Sequence, residues 1–175
     1  MSNLISDDYL KLQQELHKNP MYGFASKRYA GLVHNVMVQH DLQSLSDYGA
    51  GKKRLYSTLV EMGLEPRDYY PYDPSFPEYG EARPADLLVC IDVLEHIEPE
   101  LLDNVLDDLQ RLVINTGLFT IHTGPAGKVL ADGRNAHLIQ EGYDWWVEKL
   151  DKRFNIIEHS SEQNGFWVVV KPKED

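Results

Sequence analysis

Apolar residues along this chain follow two spacings, one typical of helices and one typical of strands. Between residues 27 and 40 they recur every three or four positions, which predicts a helix with Tyr29 and Val33 on its inner face. The same spacing predicts helices over about 7–16, 53–62, 99–112 and 143–150. Short apolar runs bounded by Gly, Pro or Asp predict strands over about 42–48, 67–73, 85–92, 117–123, 154–160 and 165–172.

Helices and strands alternate until the end of the chain, where two strands follow each other across Asn164 and Gly165, a hairpin signal. This order predicts an α/β fold: a mostly parallel sheet with helices on both faces and a C-terminal antiparallel hairpin at its edge. No repeat, low-complexity tract or break in composition divides the chain. We therefore expect one domain over residues 1–175, in which residues 1–40 form an N-terminal helical cap.

Composition excludes several classes of protein. With 42% hydrophobic residues the chain can build a core, and its net charge of −11 argues against non-specific binding to nucleic acid. The N-terminus is polar and acidic, unlike a signal peptide, and no apolar run approaches the roughly 20 residues that span a bilayer. Cys90 is the only cysteine, so no intramolecular disulfide can form. We expect a cytoplasmic protein with no membrane partner; the sequence does not indicate an oligomeric state.

Candidate binding residues follow three of the predicted strands. The segment "SLSDYGAGKK" places Asp47, Gly49 and Gly51 between a strand and a helix, where glycines let a ligand approach the main chain. Asp73 ends the next strand, 22 residues after Gly51, a spacing that suits a carboxylate accepting from both hydroxyls of a ribose. Residues 92–96 follow the most apolar strand. Ligands of such sheets bind outside these strand ends, so we expect one site there.

These motifs resemble a known family. "DYGAGKK", "YDPS" and "ADLLVCIDVLEHIEPELL" are similar to the first, second and fourth strand motifs of class I S-adenosylmethionine-dependent methyltransferases. The resemblance runs from about residue 22 to 170, and the flanking "NPMYGFASKRYAGLV" and "DGRNAHLIQEGYDWW" resemble a small bacterial and phage branch. It implies S-adenosyl-L-methionine as the cofactor and methyl transfer to an oxygen or nitrogen nucleophile. A small-molecule acceptor suits the acidic chain best.

The resemblance also implies which residues hold the cofactor. The glycine loop would hold its methionine part, and Asp73 its ribose. Arg28 would pair with its carboxylate while Tyr22 and Tyr29 close over it, although Tyr29 equally suits the helix core and Arg28 a solvated charge. The cofactor-binding residues expected are Tyr22, Arg28, Tyr29, Asp47, Gly49, Ala50, Gly51, Asp73, Pro74, Asp92, Val93 and Leu94.

The chain departs from the family pattern in two places. Lys53 stands where a third glycine is common, a position that mainly serves close packing of helix and strand. The segment from Pro74 to Pro84 is too short for the usual third strand and its helix, because a parallel crossover needs about a dozen residues or more. We predict that the third strand is missing or vestigial. The acid that usually follows it and contacts adenine is then missing too, and a residue within 75–81 is expected to replace it.

Three interpretations apply to the residues after the fourth strand motif. His96 or His137 can serve as the catalytic proton acceptor, because histidine titrates near neutral pH. Asp92, Glu95 and His96 with a later His also resemble the acid-x-x-Glu-His arrangement of some ubiquinone-pathway O-methyltransferases and small-RNA 3′-terminal 2′-O-methyltransferases. A divalent cation would then lower the pKa of an acceptor hydroxyl. Those enzymes usually carry Glu where this chain has Asp92. Finally, Glu95 and His96 can be structural residues of a helix start.

Other functions stay open as alternatives. An RNA or nucleotide terminus as acceptor requires a local basic patch. A non-catalytic S-adenosylmethionine-binding protein is the second alternative. A nicotinamide cofactor fits poorly, because Arg54 occupies the last glycine of a G-x-G-x-x-G pattern and no second domain remains for a substrate. The obvious source of a basic patch is Lys18, Lys27, Arg28, Lys52, Lys53 and Arg54.

Overall fold

Six strands form one sheet in the computed structural model, which describes residues 3–173. They are β1 (Ser44–Tyr48), β2 (Asp68–Tyr72), β3 (Ala85–Ile91), β4 (Val113–His122), β5 (Phe154–Glu162) and β6 (Gly165–Pro172). Their order across the sheet is β2-β1-β3-β4-β6-β5. The first four strands run parallel, and β6 is antiparallel to both β4 and β5. The predicted mostly parallel sheet with a C-terminal hairpin is therefore confirmed.

Helices cover both faces of the sheet. Among residues 3–173 the α-helices are α1 (Asp7–His17), α2 (Ala25–Gln39), α3 (Arg54–Glu61), α4 (Leu102–Leu112) and α5 (Tyr143–Asp151). The apolar faces of α2 and α3 pack with Leu45, Val89 and Leu118 on one face of the sheet. Those of α4 and α5 pack with Leu88 and Phe119 on the other, as strand alternation requires. None of the helices in the described part of the chain is both long and apolar enough to cross a membrane.

The N-terminal helix α1 belongs to neither of these layers. Ser6 caps it by accepting from the Tyr9 main-chain N–H, and the Ser6 hydroxyl donates to a Glu98 carboxylate oxygen at 2.6 Å. Tyr9 packs in a small cluster with Leu130 and Ala136, which belong to the long loop after β4. The helix therefore lies against the loops that follow β3 and β4, where parallel strands end.

Two elements differ from the simplest expectation. β4 begins at Val113, directly after α4, rather than near Gly117. Ile114 and Asn115 are exposed at its start, so the apolar signal appears only later in the strand. Between β2 and β3 the chain forms only a short 3-10 turn, Pro77–Tyr79, so β2 is the edge strand. The third strand expected from the family pattern is thus absent from this segment, as predicted.

Leu106 and Ile114 offer a test of where the core lies. Leu106 on α4 is fully buried, whereas Ile114 on β4 is 60% exposed. Leu106→Ala should lower the free energy of unfolding by about 2–5 kcal/mol, because it loses apolar burial and leaves a cavity. Ile114→Ala should lower it by less than about 1 kcal/mol. Urea unfolding followed by circular dichroism measures both, and similar losses in the two variants would contradict this packing.

Candidate active site at the carboxyl ends of the parallel strands

A loop of glycines connects β1 to α3. Gly49 has φ +84° and Gly51 φ +49°, a region that side chains with a Cβ rarely adopt. A Cβ on Gly49 would come 2.3 Å from a methyl carbon of Val93, so the glycine is required for Val93 to lie against the loop. The main-chain N–H groups of Gly49 and Ala50 both donate to the Tyr72 carbonyl, at 2.7 and 2.9 Å. The loop is therefore fastened to the end of β2.

Asp73 follows β2 and holds the same loop from its other side. One carboxylate oxygen accepts from the Gly51 N–H at 3.0 Å, and the other accepts from the Ser75 N–H at 2.8 Å. A carboxylate oxygen has two lone pairs, so each oxygen can accept once more. The side chain is fixed and buried, with capacity for two further donors such as the hydroxyls of a diol.

Basic residues at the start of α3 hold the chain that follows α1. The Lys52 ammonium donates to the Asn19 carbonyl at 2.6 Å. The Arg54 guanidinium donates to the carbonyls of Pro20 and Tyr22, both at 2.6 Å. Lys53 takes the left-handed conformation with φ +56°. These contacts place residues 19–22 over the glycine loop, a role that the sequence analysis missed.

Asp92 ends β3 in a strained conformation. Its φ is +50°, uncommon outside glycine, and its main-chain N–H donates to the Thr120 carbonyl at 3.0 Å. The Thr120 hydroxyl donates back to the Asp92 carboxylate at 2.7 Å. Burial raises the pKa of Asp92, with Thr120 opposing the shift. Strained, hydrogen-bonded acids of this kind cluster at functional sites.

Glu95, His96 and His137 form a cluster of ligating side chains next to Asp92. One ligand atom from each lies within 4.8 Å of the others. Glu95 is fully buried; one of its carboxylate oxygens accepts from the His122 N–H at 2.9 Å. The other oxygen is buried without a hydrogen-bond partner among residues 3–173. Burial raises the pKa of Glu95 well above its usual range.

Both histidines of the cluster are oriented by main-chain carbonyls. His96 Nδ1 lies 2.7 Å from the Ala136 carbonyl oxygen, and His137 Nδ1 lies 2.7 Å from that of Gly124. A carbonyl oxygen only accepts, so we assign the proton of each neutral ring to Nδ1 and leave Nε2 with a lone pair. Burial lowers the pKa of both rings, that of His96 to about 3. Each ring is thus neutral near pH 7, with a lone pair on Nε2 that can accept a hydrogen bond or bind a cation, and the low pKa makes His96 a weak base.

These groups surround a cavity of about 390 Å³ at the carboxyl ends of the parallel strands. Its volume lies in the range of small-molecule sites, about 300–1,000 Å³. The structure brings together on this cavity the predicted residues Tyr22, Gly49, Ala50, Gly51, Asp73, Pro74, Asp92, Val93, His96 and His137.

Four predicted cofactor residues lie outside the lining of this cavity. Arg28 pairs with Glu162 at 2.8 Å, and the Tyr29 hydroxyl donates to the same carboxylate oxygen at 2.8 Å. Leu94 is fully buried in the core under α4. Asp47 shares a strand face with Leu45, so it points toward α2 and α3, where it accepts from the Tyr69 hydroxyl at 2.8 Å.

Helix α1 supplies cavity residues that the sequence analysis did not identify. Tyr9, Gln13 and His17 all line the cavity. The Tyr9 hydroxyl donates to the His96 carbonyl at 2.5 Å and accepts from the Gln13 side-chain amide at 2.7 Å. A mostly polar helix gives little apolar periodicity, so the spacing i, i+4, i+8 of these three residues was the one available signal.

This chain is similar to known proteins in structure. Neither the protein-family models nor the curated proteins match this sequence. The 1,6-didemethyltoxoflavin-N1-methyltransferase of Burkholderia thailandensis, solved with S-adenosylhomocysteine, is similar with a TM-score of 0.66 and 12% identity, over 99% of this chain and 93% of that one. N-methyltransferase NodS from Bradyrhizobium japonicum, in complex with S-adenosylhomocysteine, is similar with a TM-score of 0.60 and 12% identity, over 97% of this chain and 100% of that one.

A third similar structure acts on a different kind of molecule. The small RNA methyltransferase HEN1 gives a TM-score of 0.63 at 10% identity, over all of this chain and 27% of that one. Identities this low establish the fold alone. The chain therefore has the fold of class I S-adenosylmethionine-dependent methyltransferases. The narrower bacterial and phage branch stays a prediction.

Asp47 predicts a dependence of stability on pH. Burial raises its pKa to about 7, against about 3.9 in an unfolded chain. Between these values the unfolded chain has released a proton that the folded protein retains, so this residue makes the folded state less stable as pH rises. Asp47→Asn keeps an acceptor for Tyr69. Between about pH 4 and about pH 8 the free energy of unfolding of this variant should rise relative to that of the wild type. The rise should be about 1.4 kcal/mol for each unit of pKa shift that the substitution removes.

Urea unfolding across this pH range measures the effect. Asp8→Asn is the control for removing a carboxylate, because the Asp8 side chain is 96% exposed and its replacement should change the stability little. A difference between Asp47→Asn and wild type that stays constant with pH would contradict the raised pKa.

Proposed function

We propose that this chain is an S-adenosylmethionine-dependent methyltransferase that acts on an oxygen or nitrogen of a small-molecule acceptor. The observation that carries this proposal is that the glycine loop, Asp73 and three residues after β3 (Asp92, Val93 and His96) line one cavity, at the carboxyl ends of three neighbouring parallel strands. Ligands of open α/β sheets bind at this position. Proteins of the same fold have been solved with the demethylated cofactor bound.

The residues present fit the cofactor. Gly49 leaves room for the Val93 side chain to lie against the loop, and both residues line the cavity. Asp73 retains two acceptor positions for a ribose diol. Tyr22 and Phe24 of the cap add aromatic walls to the same cavity. We infer that the glycine loop and Val93 hold the methionine half, and that Asp73 holds the ribose.

Bound S-adenosylmethionine supplies an electrophilic methyl group. The contribution of the chain is to hold the acceptor in line with it and to exclude water from the site. Tyr9, His17 and Tyr22 wall the cavity on the side of the cap. An acceptor hydroxyl or amine must also lose a proton, and we assign this role to Nε2 of His137 rather than of His96, because burial lowers the pKa of His96 to about 3 and makes it a weak base.

The cluster of Glu95, His96 and His137 favours a second candidate, metal-assisted transfer to an oxygen acceptor. Its donor set fits a divalent cation, because one ligand atom from each of the three side chains lies within 4.8 Å of the others and Glu95 has a carboxylate oxygen without a partner among residues 3–173. Histidines that bind metals usually donate their other ring N–H to a carbonyl or carboxylate, as both do here. A cation held there would lower the pKa of an acceptor hydroxyl.

An RNA acceptor receives less support from the arrangement of charge. Of the six basic residues considered for a patch, Lys18 pairs with Glu15 and Arg28 with Glu162. Lys52 and Arg54 are occupied with carbonyls of the cap. A phosphate chain would meet a protein with a net charge of −11. We therefore retain a small-molecule acceptor as the proposal.

Isothermal titration calorimetry with S-adenosylmethionine and S-adenosylhomocysteine tests the cofactor assignment. Wild type should bind both. Asp73→Ala should weaken binding by roughly tenfold to a hundredfold, because hydrogen bonds to a charged group contribute about 1.5–3 kcal/mol. Asp73→Asn keeps one acceptor oxygen and should lose less affinity than Asp73→Ala. Asp8→Ala is the control, since that carboxylate is 96% exposed on α1.

Two outcomes would contradict this assignment at different levels. If wild type binds neither ligand, the proposed function is wrong. If Asp73→Ala binds as tightly as wild type, the cofactor binds but its ribose lies elsewhere. Because Asp73 also accepts from Gly51 and Ser75, unfolding temperatures of the variants must accompany the titrations. Binding without product in an acceptor screen would favour a non-catalytic binding protein.

Binding of Mn²⁺ tests the metal-assisted candidate without an activity assay. Equilibrium titration followed by electron paramagnetic resonance should show one bound ion in wild type. Glu95→Gln and His137→Ala should each weaken it by roughly tenfold or more, because each removes a ligand. His159→Ala, an exposed histidine on β5, should bind as wild type does. Absence of binding to wild type would contradict the metal site and leave the methyltransferase proposal standing.

A further inference from the structure

The missing third strand leaves open which residue contacts the nucleoside end of the cofactor. We expected a replacement within residues 75–81, but of these Ser75 lines the cavity while Phe76 and Tyr79 do not. Phe76 and Tyr79 instead stack on each other with centroids 5.3 Å apart, and the Tyr79 hydroxyl donates to the Gly51 carbonyl at 2.9 Å. Phe76 and Tyr79 therefore support the glycine loop from outside, Ser75 is the residue of this segment that reaches the cavity, and a further polar contact can come from another element.

His17, the last residue of α1, occupies this part of the cavity wall. Its ring meets the rings of Tyr22 and Phe76 edge-on, with centroids 5.0 and 5.1 Å apart. It also lies beside the glycine loop, because a Cβ built on Gly51 would come 3.5 Å from His17 Cε1. The imidazole is thus held between two aromatic rings at the place where the loop and Asp73 meet.

The polar atoms of this imidazole are not used by the rest of the fold. His17 Nδ1 is buried without a hydrogen-bond partner among residues 3–173. Burial lowers the pKa of His17, Asp73 opposes the shift, and Lys52 and Arg54 add to it. The ring is therefore neutral near pH 7, with one donor and one acceptor nitrogen. A neutral group with both functions matches a nucleoside, whose hydroxyls and base edge are also uncharged donors and acceptors.

We propose that His17 is a nucleoside-binding residue, whose imidazole hydrogen-bonds the adenosine half of the cofactor beside Asp73. It supplies from the N-terminal helix a polar contact of the kind that the absent third strand would have supplied from the sheet. This inference rests on the proposed function, since it assigns a residue to the same cofactor. It makes α1 a part of the cofactor site.

The neighbouring contacts explain how a residue so far from the sheet is positioned. The chain leaves α1 directly after His17, and Lys52 and Arg54 hold the carbonyls of residues 19, 20 and 22 over the glycine loop. At its other end α1 is fixed by Ser6, whose main-chain N–H and hydroxyl donate to the two carboxylate oxygens of Glu98. With both ends fixed, the ring of His17 has a defined place against Gly51.

Calorimetry on the full chain with two ligands tests this inference. S-adenosylhomocysteine contains both halves of the cofactor, whereas 5′-methylthioadenosine contains the nucleoside without the amino acid. His17→Ala should weaken both ligands by the same factor, about tenfold for a hydrogen-bonded contact. His17→Gln keeps a hydrogen-bond donor and an acceptor, so it should lose less affinity for the two ligands than His17→Ala. His159→Ala, exposed on β5, should match wild type for both ligands.

Three results would overturn the inference. Wild-type affinity of His17→Ala for both ligands would remove His17 from the site. A loss for S-adenosylhomocysteine alone would place His17 at the methionine half. Equal losses in the Ala and Gln variants, at unchanged unfolding temperature, would show that the ring only packs. If His17→Ala does not fold, His17→Gln alone decides the test. Wild-type affinity of His17→Gln for both ligands overturns the inference, and an equal loss of affinity for the two ligands of less than about tenfold supports it. Failure of wild type to bind either ligand would contradict the proposed function instead.

Discussion

The hydrogen bond from the Gly51 N–H to Asp73 is the contact on which the rest of the site depends. It joins the loop after β1 to the end of β2, and the Tyr72 carbonyl strengthens the junction by accepting from Gly49 and Ala50. The loop can follow this path only because Gly49 and Gly51 adopt positive φ. A carboxylate that already satisfies two main-chain donors is held in one orientation. Its remaining lone pairs are therefore preorganised for a ligand, which lowers the entropy cost of binding.

In the described part of the chain, two buried polar atoms without a hydrogen-bond partner lie at the cavity or beside it. Most buried polar groups in folded proteins find a partner, and leaving one unpaired costs about 1–3 kcal/mol. Among residues 3–173 five side-chain atoms are in this state: His17 Nδ1, His40 Nε2, Ser46 Oγ, Glu95 Oε2 and Trp146 Nε1. Of these residues, Glu95 belongs to the cluster of ligating groups next to the cavity, and His17 lines the cavity. Their cost is understandable if a cation offsets the first and a nucleoside the second.

Sequence reasoning located the strand ends better than it located the contacts between distant segments. Apolar runs and glycine spacing are local signals, and they placed Asp73 after β2 and residues 92–96 after β3, the two strands on either side of β1. Arg28 was expected at the cofactor, yet it pairs with Glu162, which is 134 residues away. No local pattern contains that pairing, because it depends on how α2 and β5 pack. The role of α1 was not predicted for the same reason, since the hydroxyl of its buried Tyr9 donates to the carbonyl of His96, 87 residues later in the chain.

The run of basic residues after the glycines is explained by the cap. Cations at a helix N-terminus are unfavourable, because they meet the positive end of the helix dipole, by about 0.3–1 kcal/mol each. Lys53 adds a left-handed conformation, and the first turn of α3 contains no acidic residue. These costs are offset where Lys52 and Arg54 donate to carbonyls of the cap, since charge-assisted hydrogen bonds are about twice as strong as neutral ones. Positive charge at this helix start therefore serves to hold residues 19–22 over the glycine loop, through the hydrogen bonds of Lys52 and Arg54.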